Sequence, residues 1–225
     1  MKQLPLLMSA GPTPGFENFV TGRNAQALDH LSRWPLPATP VYLWGPAGSG
    51  KSHLLQALAR QSELHGERVG GFSPRDATPW AFDESWRAIV LDDCDGFDEA
   101  QQHAAFALFV EAATHGLPVV AAGSVPPVDL RVRDDLRTRL GWGLVFQLEP
   151  LSESEVRAVL RREADRRGIF LSDEVMGYLL TRFARDLGFL MTLLDRLDTF
   201  ALANQRAVTV PLLKQMLAEG GHDMP

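Results

Sequence analysis

The chain has 225 residues, 45% hydrophobic and 22% charged, which is enough to bury a core without disulfide or metal staples. A net charge of −6 argues against a broad electrostatic footprint for duplex DNA, though a local basic patch is still possible. The single cysteine, Cys94, excludes an intramolecular disulfide framework, and no apolar run reaches membrane-span length. Lys2 is followed by no sustained apolar stretch, so no signal peptide is expected and the cytoplasm is the expected compartment.

Residues 1–15 carry Pro5, Pro12, Pro14 and two glycines, the composition of an extended arm. A helical pattern runs from about Asn24 to Trp34. Pro35, Pro37 and Pro40 then make a stiff connector into the apolar run Val41-Tyr42-Leu43-Trp44. That run leads into Gly45-Pro46-Ala47-Gly48-Ser49-Gly50-Lys51-Ser52, after which Leu54, Leu55 and Leu58 continue a helical pattern. Strand, glycine-rich turn and helix in this order form a phosphate-binding loop. The glycines let successive N–H groups converge, and the helix N-terminus adds partial positive charge. Lys51 is then expected on the β and γ phosphates, and the Ser52 hydroxyl on Mg²⁺.

Four more short apolar runs follow, at Val69–Phe72, Ala88–Leu91, Pro118–Ala122 and Leu144–Leu148, with helical patterns between them. Strands alternating with helices predict an α/β domain, a parallel sheet flanked by helices, near residues 16–150. Gly66 and Gly116 are expected as left-handed helix caps, with His65 and His115 at the negative ends of the dipoles. His30, His53, His103 and His222 show no metal-ligand spacing. Cys94 reads as a small core residue.

The run ending in Asp92-Asp93 comes about forty residues after the loop. A carboxylate at such a strand end can hold Mg²⁺, and the next can orient an attacking water, so Asp92 is the candidate metal partner and Asp93 the candidate base. Ser124, ending the fourth run, is either a group near the γ phosphate or a turn residue; the local sequence leaves both open. Arg137 and Arg139 precede the last strand. Each is either a cation offered to a neighbouring molecule's nucleotide or a solvated arginine paired with Asp134 or Asp135, and local sequence alone favours the pairing.

Beyond Pro150 the pattern is helical only, at about 153–167, 173–185, 187–204 and 211–219, opened by a Ser152/Glu155 capping box. In the third helix Leu187, Leu190, Met191, Leu194, Leu197 and Ala201 share one face. Residues 151–225 are therefore expected to form a small helical domain.

The order of these pieces resembles the DnaA family of AAA+ ATPases over nearly the whole chain from Phe16. Phe16-Glu17-Asn18-Phe19-Val20-Thr21-Gly22 is similar to the family's opening box, which implies Phe19 and Val20 beside an adenine. Gly45–Ser52 with His53 resembles its phosphate loop, Ala88–Asp93 its metal-binding strand, and Ser124 falls at the first sensor position. Thr138-Arg139-Leu140-Gly141-Trp142-Gly143 resembles the stretch bearing the arginine finger, which implies that Arg139 acts in trans. The implied cofactors are ADP or ATP with Mg²⁺. The family's lid carries a nucleotide-sensing arginine where this chain has Gly188; Arg185, about one turn earlier, is the candidate replacement.

Two features set the chain apart from an initiator. No helix-turn-helix pattern for duplex DNA follows the lid, and Gln3-Leu4-Pro5-Leu6-Leu7 resembles the peptide by which bacterial proteins dock on the DNA polymerase sliding clamp. Gln3, Leu4, Leu6 and Leu7 are the residues that would enter an apolar pocket there. Within the family, the pattern resembles regulatory members that ride the DNA-loaded clamp and trigger hydrolysis of DnaA-bound ATP, repressing re-initiation. The implied partners are DnaA and the clamp, with DNA reached through the clamp, no membrane, and room for self-association. Such a protein need be only a weak ATPase itself. Two alternatives are a DnaA-binding adaptor that does not stimulate hydrolysis, and a helicase-loader type ATPase.

Overall fold

The computed structural model describes residues 13–183 and 186–219. Gln3, Leu4, Leu6, Leu7 and Arg185 lie outside the described residues. Pro14–Pro150 form one compact unit, and the chain from Leu151 belongs to a second.

The first unit is built on five parallel strands: β1 (Val41–Trp44), β2 (Arg68–Phe72), β3 (Trp86–Leu91), β4 (Val119–Gly123) and β5 (Leu144–Gln147), in the order β2-β3-β4-β1-β5. Its helices are α1 (Ala25–Leu31), α2 (Lys51–Leu64), α3 (Glu99–His115) and α4 (Asp134–Gly141). Apart from Arg87 at the start of β3, the central strands are apolar because both sheet faces are covered, and the period of two assigns their side chains to opposite cores. Tyr42, Ile89, Leu91, Val119 and Ala121 join Leu108, Phe109, Leu136 and Leu140 from α3 and α4. Val41, Leu43, Val90, Val120 and Ala122 join Ala27, Leu31, Leu54, Leu55 and Leu58 from α1 and α2. The result is a three-layer stack.

Register decides what meets at the carboxyl edge of the sheet. Trp44 pairs with Gly123, and Leu91 with Ala121. The residues that leave β1, β3 and β4 therefore emerge side by side, in the crevice where parallel sheets bind ligands.

Punctuation follows local chemistry. Helix α3 starts on a capping box between Asp98 and Gln101 and ends on Gly116 at φ +66°, a left-handed cap as expected. The His65 and His115 rings bond the carbonyls of Gln61 and Glu111 one turn back, which gives both histidines a structural role. The first helix is shorter than its apolar pattern suggested, ending at Leu31. Pro35 restricts the backbone before it, and the Trp34 indole turns away to donate to Glu67 at 2.7 Å.

The second unit holds α5 (Glu153–Arg166), α6 (Asp173–Arg182), α7 (Leu187–Asn204) and α8 (Val210–Glu219). Ser152 and Glu155 form the expected capping box on α5. Helix α6 stops at Arg182, earlier than its pattern suggested, because Phe183 is extended and packs against the helical core. Asp186 then caps α7 by accepting from the Phe189 N–H at 2.8 Å. Leu190, Leu194, Leu197 and Ala201 are buried as the sequence pattern required, and Leu193 joins them. Among the described residues no helix is long and apolar enough to cross a membrane.

Candidate functional site

Gly45–Gly50 connects β1 to α2, and Gly50 is the N-cap of α2. Gly50 lies at φ +95°, where an L side chain is strained, and a Cβ there would come within 2.6 Å of the Phe19 ring. The loop therefore needs glycine for both its conformation and its close packing. Lys51 is buried, 8% exposed, and its Nζ donates to the Gly45 and Pro46 carbonyls at 2.8 and 3.0 Å. Its ammonium sits inside the loop, where an anionic group would exchange carbonyl partners for phosphate oxygens. The Ser49 hydroxyl is buried with no partner among the described residues. Burying such a group unpaired is costly. An orphaned hydroxyl and a buried ammonium in a glycine-rich turn at a helix N-terminus fit a nucleotide phosphate.

The segment Phe16–Asn18 is a short 3-10 turn, held against the start of α2. Arg60 pairs with Glu17 at 2.9 Å, and the His53 ring bonds the Gly15 carbonyl at 3.0 Å. Phe19 lies 5.5 Å from the His53 ring, centroid to centroid, and Val20 is half-buried beside it in the chain. Phe19, distant from both in sequence, thus comes against Gly50 and His53. Ala47 is exposed and Gly48 half-buried on the same loop, and Ser52 is half-buried at the start of α2.

On the neighbouring strand end, Asp92 follows β3 and accepts from the Asp93 N–H at 3.0 Å. Asp93 takes the left-handed conformation at φ +50°. Burial raises its carboxyl above the ordinary aspartate value; the charges of Asp92 and Asp95 add to this, while Lys51 and Arg75 oppose it. The Lys51 charge acting on Asp93 puts loop and strand end in one electrostatic neighbourhood. Among the described residues no three His, Cys, Asp or Glu side chains form a cation cage. Asp92 and the Ser52 hydroxyl are oxygen donors of the kind Mg²⁺ takes.

The Ser124 hydroxyl donates to Asp95 at 2.7 Å, and its N–H donates to the other Asp95 oxygen at 2.9 Å. Asp95 carried no signal in the sequence. Tyr42 was equally silent, yet its hydroxyl crosses to the Val125 carbonyl at 3.1 Å and fixes the turn after Ser124. Burial pushes both the Tyr42 hydroxyl and the Cys94 thiol up, so neither ionises. Cys94 is a core residue as expected, although it sits in the turn after β3.

Arg137 pairs with Asp134 at 2.8 Å, the ordinary surface arrangement. Arg139, on the last turn of α4, makes no ion pair among the described residues and lies over the Trp142 ring, 5.1 Å from its centroid. In the second unit Gly188 lies in the first turn of α7, and a Cβ there would meet the Asp186 carboxylate at 3.2 Å.

The family model of the Hda lid domain matches residues 153–217. An uncharacterised protein of Haemophilus influenzae is 34% identical over 229 residues, spanning 96% of this chain and 98% of its own. Domain III of the Thermotoga maritima replication initiation protein DnaA matches with a TM-score of 0.73 at 20% identity, over 94% of this chain and 98% of that one. AMPPCP-bound DnaA from Aquifex aeolicus matches with a TM-score of 0.64 at 24% identity, over 82% and 66%. Residues 153–217 thus belong to the Hda lid-domain family, and they follow a unit with the AAA+ fold seen in DnaA domain III.

Proposed function

We propose that this protein represses re-initiation of replication by stimulating hydrolysis of ATP held by DnaA, while docked on the DNA-loaded sliding clamp. The observation that carries the reading is Arg139: a permanent cation at the end of α4 that pairs with no described carboxylate. A guanidinium keeps its charge at any physiological pH, so it can meet the negative charge that develops on a transferred phosphoryl group. The Hda-type lid supports the choice of DnaA as partner.

In this reading Gly45, Ala47, Gly48, Ser49, Gly50, Lys51, Ser52 and His53 hold ADP or ATP, with Phe19 and Val20 at the base and Arg185 in the role of the sensing arginine whose place Gly188 takes. Ser52 and Asp92 hold Mg²⁺, which screens phosphate charge when bound. Asp93 and Ser124 serve slow hydrolysis in the protein's own site; the hold of Asp95 on Ser124 agrees with slow turnover. Gln3, Leu4, Leu6 and Leu7 anchor the chain on the clamp, and the compartment is the cytoplasm.

The test is the conversion of DnaA-bound ATP to ADP with clamp-loaded DNA and this protein present. Conversion should accelerate only when all three are combined. If DnaA binds without faster conversion, the protein is an adaptor instead.

A further inference from the structure

Helix α4 and its N-cap residue carry three arginines held in two different ways. Arg133 pairs with Asp135 at 2.7 Å and Arg137 with Asp134 at 2.8 Å. Both acids of this segment are therefore occupied by other arginines. Arg139 instead rests on the face of Trp142, three residues on. The Trp142 N–H bonds the Arg139 carbonyl at 3.4 Å, so the helix end fixes the backbone that carries both side chains. Trp142 is 70% exposed. An indole left so open is poorly explained by packing within the chain.

The two modes differ in what they leave available. A carboxylate orients a guanidinium but cancels most of its field. An aromatic face attracts it through the ring quadrupole and restricts its rotamers without adding opposite charge. We propose that Trp142 is a positioning residue: its indole holds the Arg139 guanidinium in place while leaving the charge free for the phosphates of ATP on a partner AAA+ domain. The inference rests on the trans role of Arg139 proposed above. It makes Trp142 act through Arg139 on the rate within the complex, not on formation of the complex.

The experiment titrates the full-length protein, as Trp142→Leu, Trp142→Phe, Arg139→Ala or wild type, into ATP-loaded DnaA with clamp-loaded DNA, and reads ATP conversion. Leu keeps apolar bulk and removes the quadrupole; Phe keeps an aromatic face. Trp142→Leu should lower the maximal rate about fivefold and move the half-saturating concentration less than about twofold, with Trp142→Phe restoring most of the rate. Unchanged ADP affinity of each variant's own phosphate loop checks that it is folded. A Trp142→Leu protein at the wild-type rate overturns the proposal, as does one with a normal maximal rate and a raised half-saturating concentration. Full activity in Arg139→Ala overturns the trans-finger reading and this inference with it. A normal Trp142→Leu beside an inactive Arg139→Ala overturns the inference alone.

Discussion

Ser124 is clasped by Asp95: hydroxyl and backbone N–H each donate to one carboxylate oxygen, at 2.7 and 2.9 Å. The clasp joins the turn after β3 to the end of β4, and Asp95 also acts on Asp93, whose carboxyl is raised first by burial and then by Asp92 and Asp95. Asp95→Ala should cost about 1 kcal/mol through the two lost bonds. It should also lower the Asp93 value while leaving it above the ordinary aspartate range, because burial remains. Carboxyl NMR titration of Asp93 in both proteins checks this; an unmoved Asp93 would refute the coupling.

Lys51 holds two loop carbonyls and is placed to exchange them for phosphate oxygens. A charge-assisted contact of this kind is worth about 1.5–3 kcal/mol. Lys51→Ala should therefore weaken ADP binding at least about tenfold by calorimetry. Equal affinity would remove Lys51 from the site.

Gly50→Ala combines backbone strain at φ +95° with a Cβ 2.6 Å from the Phe19 ring. The strain alone is on the order of 1–3 kcal/mol. The variant should melt at a lower temperature and bind nucleotide poorly, since the collision pushes Phe19 away from the loop. Gly66→Ala is the control: it has positive φ but open space around its Cβ, so it should lose stability and keep nucleotide affinity.

Arg139→Ala should leave the protein folded and nucleotide-bound, because the side chain makes no ion pair among the described residues. Stimulation of DnaA-bound ATP hydrolysis should fall by a factor on the order of 10³. Arg137→Ala loses a surface ion pair with Asp134 and should change little. Equal rates for the two variants would count against Arg139 as the finger.

Glu163 bonds Arg166 and Arg167, and the Arg166 hydrogen bond leads in holding its carboxyl down at about 2. Arg167 also pairs with Asp195 on α7, tying α5 to α7. The sign follows from a depressed folded value: the stabilisation is present above the ordinary glutamate value and is lost as pH falls toward 2. Far-UV circular dichroism of the full-length protein should show the melting temperature dropping between about pH 4.5 and 2. Glu163→Gln should melt lower at pH 7 and show a smaller drop over that window.

The sequence by itself determined whatever depends on local periodicity and turn chemistry. Strand, glycine turn and helix around Gly45–Ser52 were legible because few conformations accept that spacing. The Ser152/Glu155 box and the Gly116 cap were legible because one side chain or one missing Cβ decides them. Helix ends set by distant packing were not, which is why α6 stops at Arg182 once Phe183 joins the helical core. Only the tertiary structure decided the order β2-β3-β4-β1-β5, which places β4 between β1 and β3 and so brings the phosphate loop, Asp92 and Ser124 to one edge. It alone showed Asp95 on Ser124, Phe19 against Gly50, and Trp142 under Arg139. Asp95 on Ser124 and Phe19 against Gly50 join segments that only strand order and helix placement bring together, Trp142 meets Arg139 through the backbone turn at the end of α4, and a hydrophobic pattern carries no information about which polar or aromatic groups the finished fold will bring within a few ångströms of one another.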